Sequence, residues 1–382
     1  MVREKKVRPL HHDKKRKNSE HYDCRRRHGR TFISRSGNSR EFIKRDYETA
    51  ILFIGTERGL EQRILKDLGY VLRTIDVEGI RGKGLIKSAG GIVKIPASMI
   101  QCYPIIRDFS PDLVIGVGGY ASGPAVIMAY CMGKKTAVAE QNAMPGLTNR
   151  ILGRFVDRVF ITFAVTEKWF SKKKTVITGN PVRAGFVQEE KKQREKSESF
   201  TLLIYGGSQG AAGINSAVIE SLPYLEKMRD GLKIMHQTGK RDVDRVSKAY
   251  KDYHMDAHVC SFIKDMAGSY DAADLLICRA GATSIAEITA RGKAALFIPF
   301  PYAVGDHQRL NAQVLVDAGA AKMILERDIN GETLARVVEE LCRDRNHIKR
   351  MEEKSRALGN RRAATHIVDE CMKLIYGEKI LN

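Results

Sequence analysis

Two polar side chains frame the most chemically suggestive stretch of the chain, residues 276–312. Glu287 follows an apolar run (275–278) and a glycine-bearing turn, Ala280-Gly281-Ala282, at a place where Thr283 or Ser284 can cap a helix with Glu287 in its first turn. A carboxylate there can accept two hydrogen bonds from a ribose diol, or simply complement the helix dipole. Gln308 lies in a polar loop after the next apolar run (294–298), and its amide can both give and take a hydrogen bond at a neutral sugar hydroxyl, unless it is an ordinary surface residue. Upstream, Gly206-Gly207-Ser208-Gln209-Gly210 follows a strand and opens a helix. Bare amides at such a helix start, with the Ser208 hydroxyl, suit a diphosphate; tight strand–helix packing is the other use of such glycines. No Gly-Lys-Ser/Thr follows and the G-x-G-x-x-G spacing is absent, so neither the Walker loop nor the dinucleotide fingerprint is present. Asn142, at a strand end, is placed to touch substrate or to bond its own turn. Arg183 can meet a phosphate or a base edge, or form a structural ion pair. Asp242-Val243-Asp244 fits the D-x-D metal pattern in letter, but its charged setting (KRDVDRVSK) reads as a solvated face, so no metal site is expected.

The elements that must position these groups alternate. Strands are expected at 51–55, 70–75, 112–119, 136–142, 158–162 and 174–180, with helix at 57–68, an interrupted helix over 81–109, and helix after Gly123-Pro124. A charged stretch, 185–199, then separates a second series: strands at 200–205, 232–239, 257–262, 273–278, 294–299 and 321–326, followed by amphipathic helix from 331 to 376 with breaks near Asn346 and Gly359-Asn360. Such alternation implies parallel, doubly wound sheets, which hold ligands beyond the carboxyl ends of their strands. The expected architecture is two α/β domains, 41–184 and 200–358, facing across a cleft.

At 382 residues and 43% hydrophobic, the chain can bury two cores. Seven scattered cysteines without a C-x-x-C pair point to a reducing cytoplasm. The first twenty residues lack an apolar signal core. The long uncharged run 113–133 is broken by glycines and a proline, which favours strand–turn–helix over a membrane span. Of the net charge of +20, residues 1–40 carry half, with fourteen Lys/Arg against four Asp/Glu. The body is therefore only moderately basic, which suits anionic substrates or an anionic lipid surface and weakens a nucleic-acid-binding reading. Residues 80–99 mix Leu85, Ile86, Ile92, Val93 and Ile95 with Arg81, Lys83, Lys87 and Lys94, a pattern expected of a peripheral membrane patch or of an ordinary amphipathic helix.

Six motifs occur in order: GxGGYxSGP (116–124), EQNxxPGLTN (140–149), TGNPVR (178–183), GGSQGA (206–211), CRAGATSIAE (278–287) and DHQxxNA (306–312). Together they resemble the MurG family of peptidoglycan glycosyltransferases over residues 41–376. The resemblance implies a GT-B fold of two Rossmann-like domains, with helix 361–376 packing back on the first. It implies inverting transfer of N-acetylglucosamine from UDP-N-acetylglucosamine to the muramyl 4-hydroxyl of a polyprenyl-diphosphate-linked muramyl pentapeptide. That would take place peripherally, on the cytoplasmic face of the cell membrane and against its anionic inner surface. No cofactor and no nucleic acid are implied; a related GT-B enzyme acting on another lipid acceptor is the alternative. By motif, Ser208 would meet the donor diphosphate, Arg183 the nucleotide side, the Ile263 backbone the uracil, Glu287 the ribose, Gln308 the sugar and Asn142 the cleft face of the first domain. Helix N-termini and Arg183 would carry the leaving-group charge.

One family feature is missing. The family opens with a strand and a loop, G-G-G-T-G-G-H, whose histidine is a candidate base; the chain does not spell it. Reading the last two bases of each codon with the first of the next recovers it from plausible codons. Arg25, Arg26 and Arg27 then give Gly-Gly-Gly, His28 into Gly29 gives Thr, Gly29 and Arg30 give Gly-Gly, and Thr31 into Phe32 gives His. The expectation is that residues 20–39 are a shifted reading frame. Residues 1–40 would then be disordered, without first strand, phosphate loop or catalytic base, and transferase activity would be low while the second domain still binds UDP.

Overall fold

Short apolar runs, each ended by glycine or a polar turn, build two all-parallel sheets. The computed structural model describes residues 30–33, 36–45, 49–56, 70–77, 85–188, 199–207 and 209–377. The first sheet contains β1 (Arg30–Ile33), β2 (Ala50–Gly55), β3 (Val71–Thr74), β4 (Leu113–Gly116), β5 (Lys135–Glu140), β6 (Arg158–Ile161) and β7 (Thr175–Ile177), in the order β3-β2-β1-β4-β5-β6-β7. The second contains β8 (Phe200–Tyr205), β9 (Leu232–Gln237), β10 (Asp256–Cys260), β11 (Leu275–Cys278), β12 (Ala294–Phe297) and β13 (Ala321–Met323), in the order β10-β9-β8-β11-β12-β13.

Successive strand residues point to opposite faces, so each sheet feeds two cores. In β8, Phe200, Leu202 and Ile204 enter one core while Leu203 and Tyr205 enter the other. In β11 the split is Leu275 and Ile277 against Leu276 and Cys278. The first sheet repeats the rule: Val114, Val159 and Ile161 face one side, and Leu113, Ile115 and Phe160 the other. Each large apolar side chain so buried contributes about 1.5–3 kcal/mol. The helix Ala363–Tyr376 lays Ile367, Val368 and Cys371 on the first sheet beside Phe53 and Ile115, so the chain's last helix covers the domain in which its strands began.

Two expectations need correction. Residues 1–40 are not without structure: Arg30–Ile33 forms β1, paired in parallel with both β2 and β4. A strand is needed there, since without it the sheet would be split with two unpaired edges at its centre. The helix Ser36–Arg45 comes next, burying Phe42. Second, the helix expected to be interrupted over 81–109 runs unbroken from Leu85 to Phe109 through Pro96 and Pro104. Burial of Cys102 and Ile106 in the first core outweighs the hydrogen bonds the prolines remove. The break expected near Asn346 is found at Asp344, whose carboxylate caps the next helix by accepting from the His347 amide. The expected helix 57–68, most of the linker (189–198), residues 1–29 and residues 80–84 of the amphipathic stretch lie outside the described residues.

Candidate functional site

At the carboxyl ends of β8, β11 and β12 the second domain opens into a cavity of about 520 Å³, whose lining includes Gly206, Gly207, Gly210, Arg279, Ser284 and Gln308. Two helices begin at its wall, Ala212–Leu225 and Ala282–Arg291. Neither has a side chain bonded at its N-cap (Ala211 and Gly281), so among the described residues no capping side chain takes up their first amides. With the helix dipoles they form a positive wall for an anion. The turn before the first helix depends on glycine. Gly207 and Gly210 hold φ of 96° and 79°, and a Cβ on Gly210 would collide with the Thr238 carbonyl. Ser208, expected at the diphosphate, lies outside the described residues.

Glu287 sits in the second turn of its helix, not the first, because the helix starts at Ala282 with Gly281 as its cap; neither Thr283 nor Ser284 caps it. Its carboxylate is buried and receives both arms of Arg183, Nε to Oε1 at 2.6 Å and an Nη to Oε2 at 2.8 Å. Burial pushes the Glu287 carboxyl up, opposed by the Arg183 hydrogen bonds; the same hydrogen bonds, foremost, hold Arg183 above its ordinary value. Of the readings open to Arg183, the geometry here is the ion pair, with Glu287 as its partner. Gln308 lines the cavity and its Oε1 accepts from the Phe300 amide at 3.0 Å. The Ile263 amide donates to Gln237 Oε1 at 3.0 Å.

Asn142 is tied down rather than free. Its amide and side-chain nitrogen donate to Glu140 Oε1 at 2.9 and 3.2 Å. Its Oδ1 accepts from Asn311 of the second domain at 3.0 Å. Asn311 Oδ1 in turn accepts from the Ala143 amide at 2.8 Å, so one fully buried asparagine joins the two domains beside the cleft. Glu140, itself buried, also takes the Gly146 amide and the Asn149 side chain, and thereby shapes the loop 141–149. A smaller cavity of about 190 Å³ between the domains is lined by Glu140, Gln141, Asn180, Arg183 and Thr283.

Arg279, Glu326 and Asn311 were not singled out from the sequence. Arg279 and Glu326 pair at the wall of the 520 Å³ cavity, and Arg279 also donates to the Ile298 and Pro299 carbonyls. Two of the three stand inside recognised motifs, Arg279 in CRAGATSIAE and Asn311 in DHQxxNA, which was the available signal. Asp242 is not the solvated residue expected: it accepts from the Asn215 side chain at 2.7 Å and pairs with Arg245. Among the described residues, no three His, Cys, Asp or Glu side chains group as a metal site.

Two family models match the chain, the glycosyltransferase family 28 N-terminal domain over residues 38–161 and the family 28 C-terminal domain over 201–367. Among curated relatives, a protein of Syntrophus aciditrophicus is 55% identical over 331 residues, 87% of this chain and 92% of its own length. One of Citrifermentans bemidjiense is 48% identical over 328 residues, covering 85% and 91%. Both are named UDP-N-acetylglucosamine–N-acetylmuramyl-(pentapeptide) pyrophosphoryl-undecaprenol N-acetylglucosamine transferase. A solved structure of Acinetobacter baumannii MurG superposes with a TM-score of 0.76 at 30% identity, over 90% of this chain and 99% of that one. The fold is GT-B.

Proposed function

The chain belongs to glycosyltransferase family 28, and on that premise we propose that it transfers N-acetylglucosamine from UDP-N-acetylglucosamine to a polyprenyl-diphosphate-linked muramyl pentapeptide in peptidoglycan precursor synthesis. The observation that carries this reading is the convergence of two uncapped helix N-termini on one cavity that Gln308 also lines. Diphosphate charge would rest on the amides at Ala212 and Gly213, with Ser208 beside them. Uracil would lie against the Ile263 backbone, ribose at Glu287 and the sugar at the Gln308 carboxamide. Ribose hydroxyls donating to Glu287 would share its oxygens with Arg183, whose half-exposed side chain can then turn toward the nucleotide. The acceptor hydroxyl oxygen would attack the anomeric carbon from the first domain's side as the carbon–oxygen bond to UDP breaks, its proton passing to water because the chain does not spell the family's loop histidine. The electron pair leaves on the diphosphate, where the helix N-termini stabilise it.

A peripheral position on an anionic membrane, on its cytoplasmic face, is part of this proposal. No described helix is long and apolar enough to cross a membrane. Side chains 85–95 of the expected docking stretch lie outside the described residues, but the same helix exposes Ile100 and Tyr103. The helix Leu147–Leu152 and the turn after it expose Leu147, Ile151 and Phe155, four residues apart and interleaved with Arg150 and Arg154. Apolar side chains ringed by cations suit an anionic lipid surface.

Donor and acceptor competition tests the reaction. UDP-N-acetylglucosamine should outcompete its 4-epimer, and a lipid-linked muramyl pentapeptide should be the preferred acceptor. Equal use of an unrelated lipid acceptor would contradict the proposal. Flotation with anionic liposomes tests the surface, and unchanged binding after Leu85 and Ile86 are made polar would remove that stretch from it.

A further inference from the structure

Gln237 ends β9, the strand next to the central β8, and its side chain is essentially fully buried. It makes two bonds in opposite directions. Nε2 donates to the Gly207 carbonyl at 2.7 Å, in the glycine turn after β8. Oε1 accepts from the Ile263 amide at 3.0 Å, in the turn after β10. β9 pairs with both of those strands, Gln237 standing opposite Tyr205 on one side and Cys260 on the other. The segment that carries it is itself fixed. The Thr238 amide donates to the Cys260 carbonyl, the Asn215 side chain to the Thr238 carbonyl, and Gly210 packs against Thr238 too closely for a side chain.

The geometry points to Gln237 as a positioning residue that sets the distance between the base-binding turn at Ile263 and the diphosphate-binding turn at Gly206–Gly210. It touches neither ligand group; it makes the two half-sites one site, so that a nucleoside diphosphate gains from both at once. The inference rests on the donor placement proposed above. A rigid connection lets the diphosphate bind with its entropy already lost to the uridine, which is why its removal should weaken the diphosphate contribution more than the uridine contribution.

The test measures UDP, UMP and uridine affinity by calorimetry for the full chain, Gln237→Met and Gln237→Asn. Methionine keeps the length without either bond; asparagine keeps the amide but cannot span both partners. The expected result is a UDP-over-UMP affinity ratio reduced about tenfold in both variants, with uridine affinity within about threefold. A ratio unchanged in either folded variant, whether affinities hold or fall in parallel, overturns the inference. So does failure of both variants to fold, since Gln237 would then be a core residue and nothing more. Absence of UDP binding in the unaltered chain would instead contradict the donor placement itself.

Discussion

β1 and β8 hold the same place, each first in its domain's chain order and third from one edge of its sheet. Their connections to the next helix differ. Between β8 and its helix lie six residues, 206–211, three of them glycine, and the helix amides beyond face an open cavity. Between β1 and its helix lie two residues, 34 and 35, neither of them glycine. Six residues with positive-φ glycines can turn several amides onto one anion; two residues serve only to reverse the chain. A shared topology therefore fixes where a ligand loop would stand, while the length and glycine content of the connection decide whether one exists. The family's glycine loop is expected after the first strand, and the similarity to the family model begins only at residue 38. We propose that residues 20–39 are a shifted reading frame, even though part of that stretch is placed as a strand.

The sharpest way to break the comparison is to give the first domain what the second has. Replacing residues 20–39 by their shifted-frame reading should raise kcat by about 10²–10³-fold, the usual worth of a lost charge-stabilising loop. Steady-state transferase rates check this. Equal rates, together with resequencing that returns the stretch as it stands, would refute the shifted frame.

A second test compares glycines. Gly210→Ala forces a Cβ against the Thr238 carbonyl at φ 79°, whereas Gly119, at φ 80°, has nothing near its Cβ. Gly119→Ala should cost only about 1 kcal/mol of stability through its backbone conformation, and Gly210→Ala about 2–4 kcal/mol, with UDP binding lost. Denaturant unfolding with and without UDP separates them.

How much of this was legible in the sequence depends on the range of the interactions. Strands such as 200–205 and 275–278 announce themselves by local apolar runs ended by glycine, so both sheets and the cavity wall could be placed. An ion pair for Arg183 was foreseen only as an alternative and without its partner Glu287, because a side chain's nearest opposite charge depends on domain packing. The pairings of Asn311 with Asn142 and of Gln237 with Ile263 were not foreseen: a motif can mark the residue, as DHQxxNA marks Asn311, but not a partner that comes from a different strand or a different domain. The unbroken helix through Pro96 shows tertiary burial overriding a local breaker.

Gln308→Ala removes the carboxamide proposed to meet the sugar. It should weaken donor recognition by about 1–3 kcal/mol and relax discrimination against the 4-epimer. Competition kinetics measure both; an unchanged epimer preference would rule the role out.

An effect confined to acid pH concerns the layer beneath the glycine turn. His236 is buried, with Nε2 donating to Asn215 Oδ1 and Nδ1 accepting from the Tyr250 hydroxyl, and burial lowers its pKa from 6.5 to about 3. Below pH 6.5 the unfolded chain binds a proton that the folded one refuses, so stability is full above that pH and falls toward pH 3. The slope is at most about 1.4 kcal/mol per pH unit. His236→Gln should flatten it in urea titrations across that window.

The central claim is that the second domain holds a complete donor site independently of the first domain's missing loop. Isothermal titration with UDP measures it directly. The account predicts one saturable site per chain, unchanged when residues 20–39 are replaced and abolished by Gly210→Ala. No binding heat, or binding that arises only after the first-domain loop is restored, would contradict it.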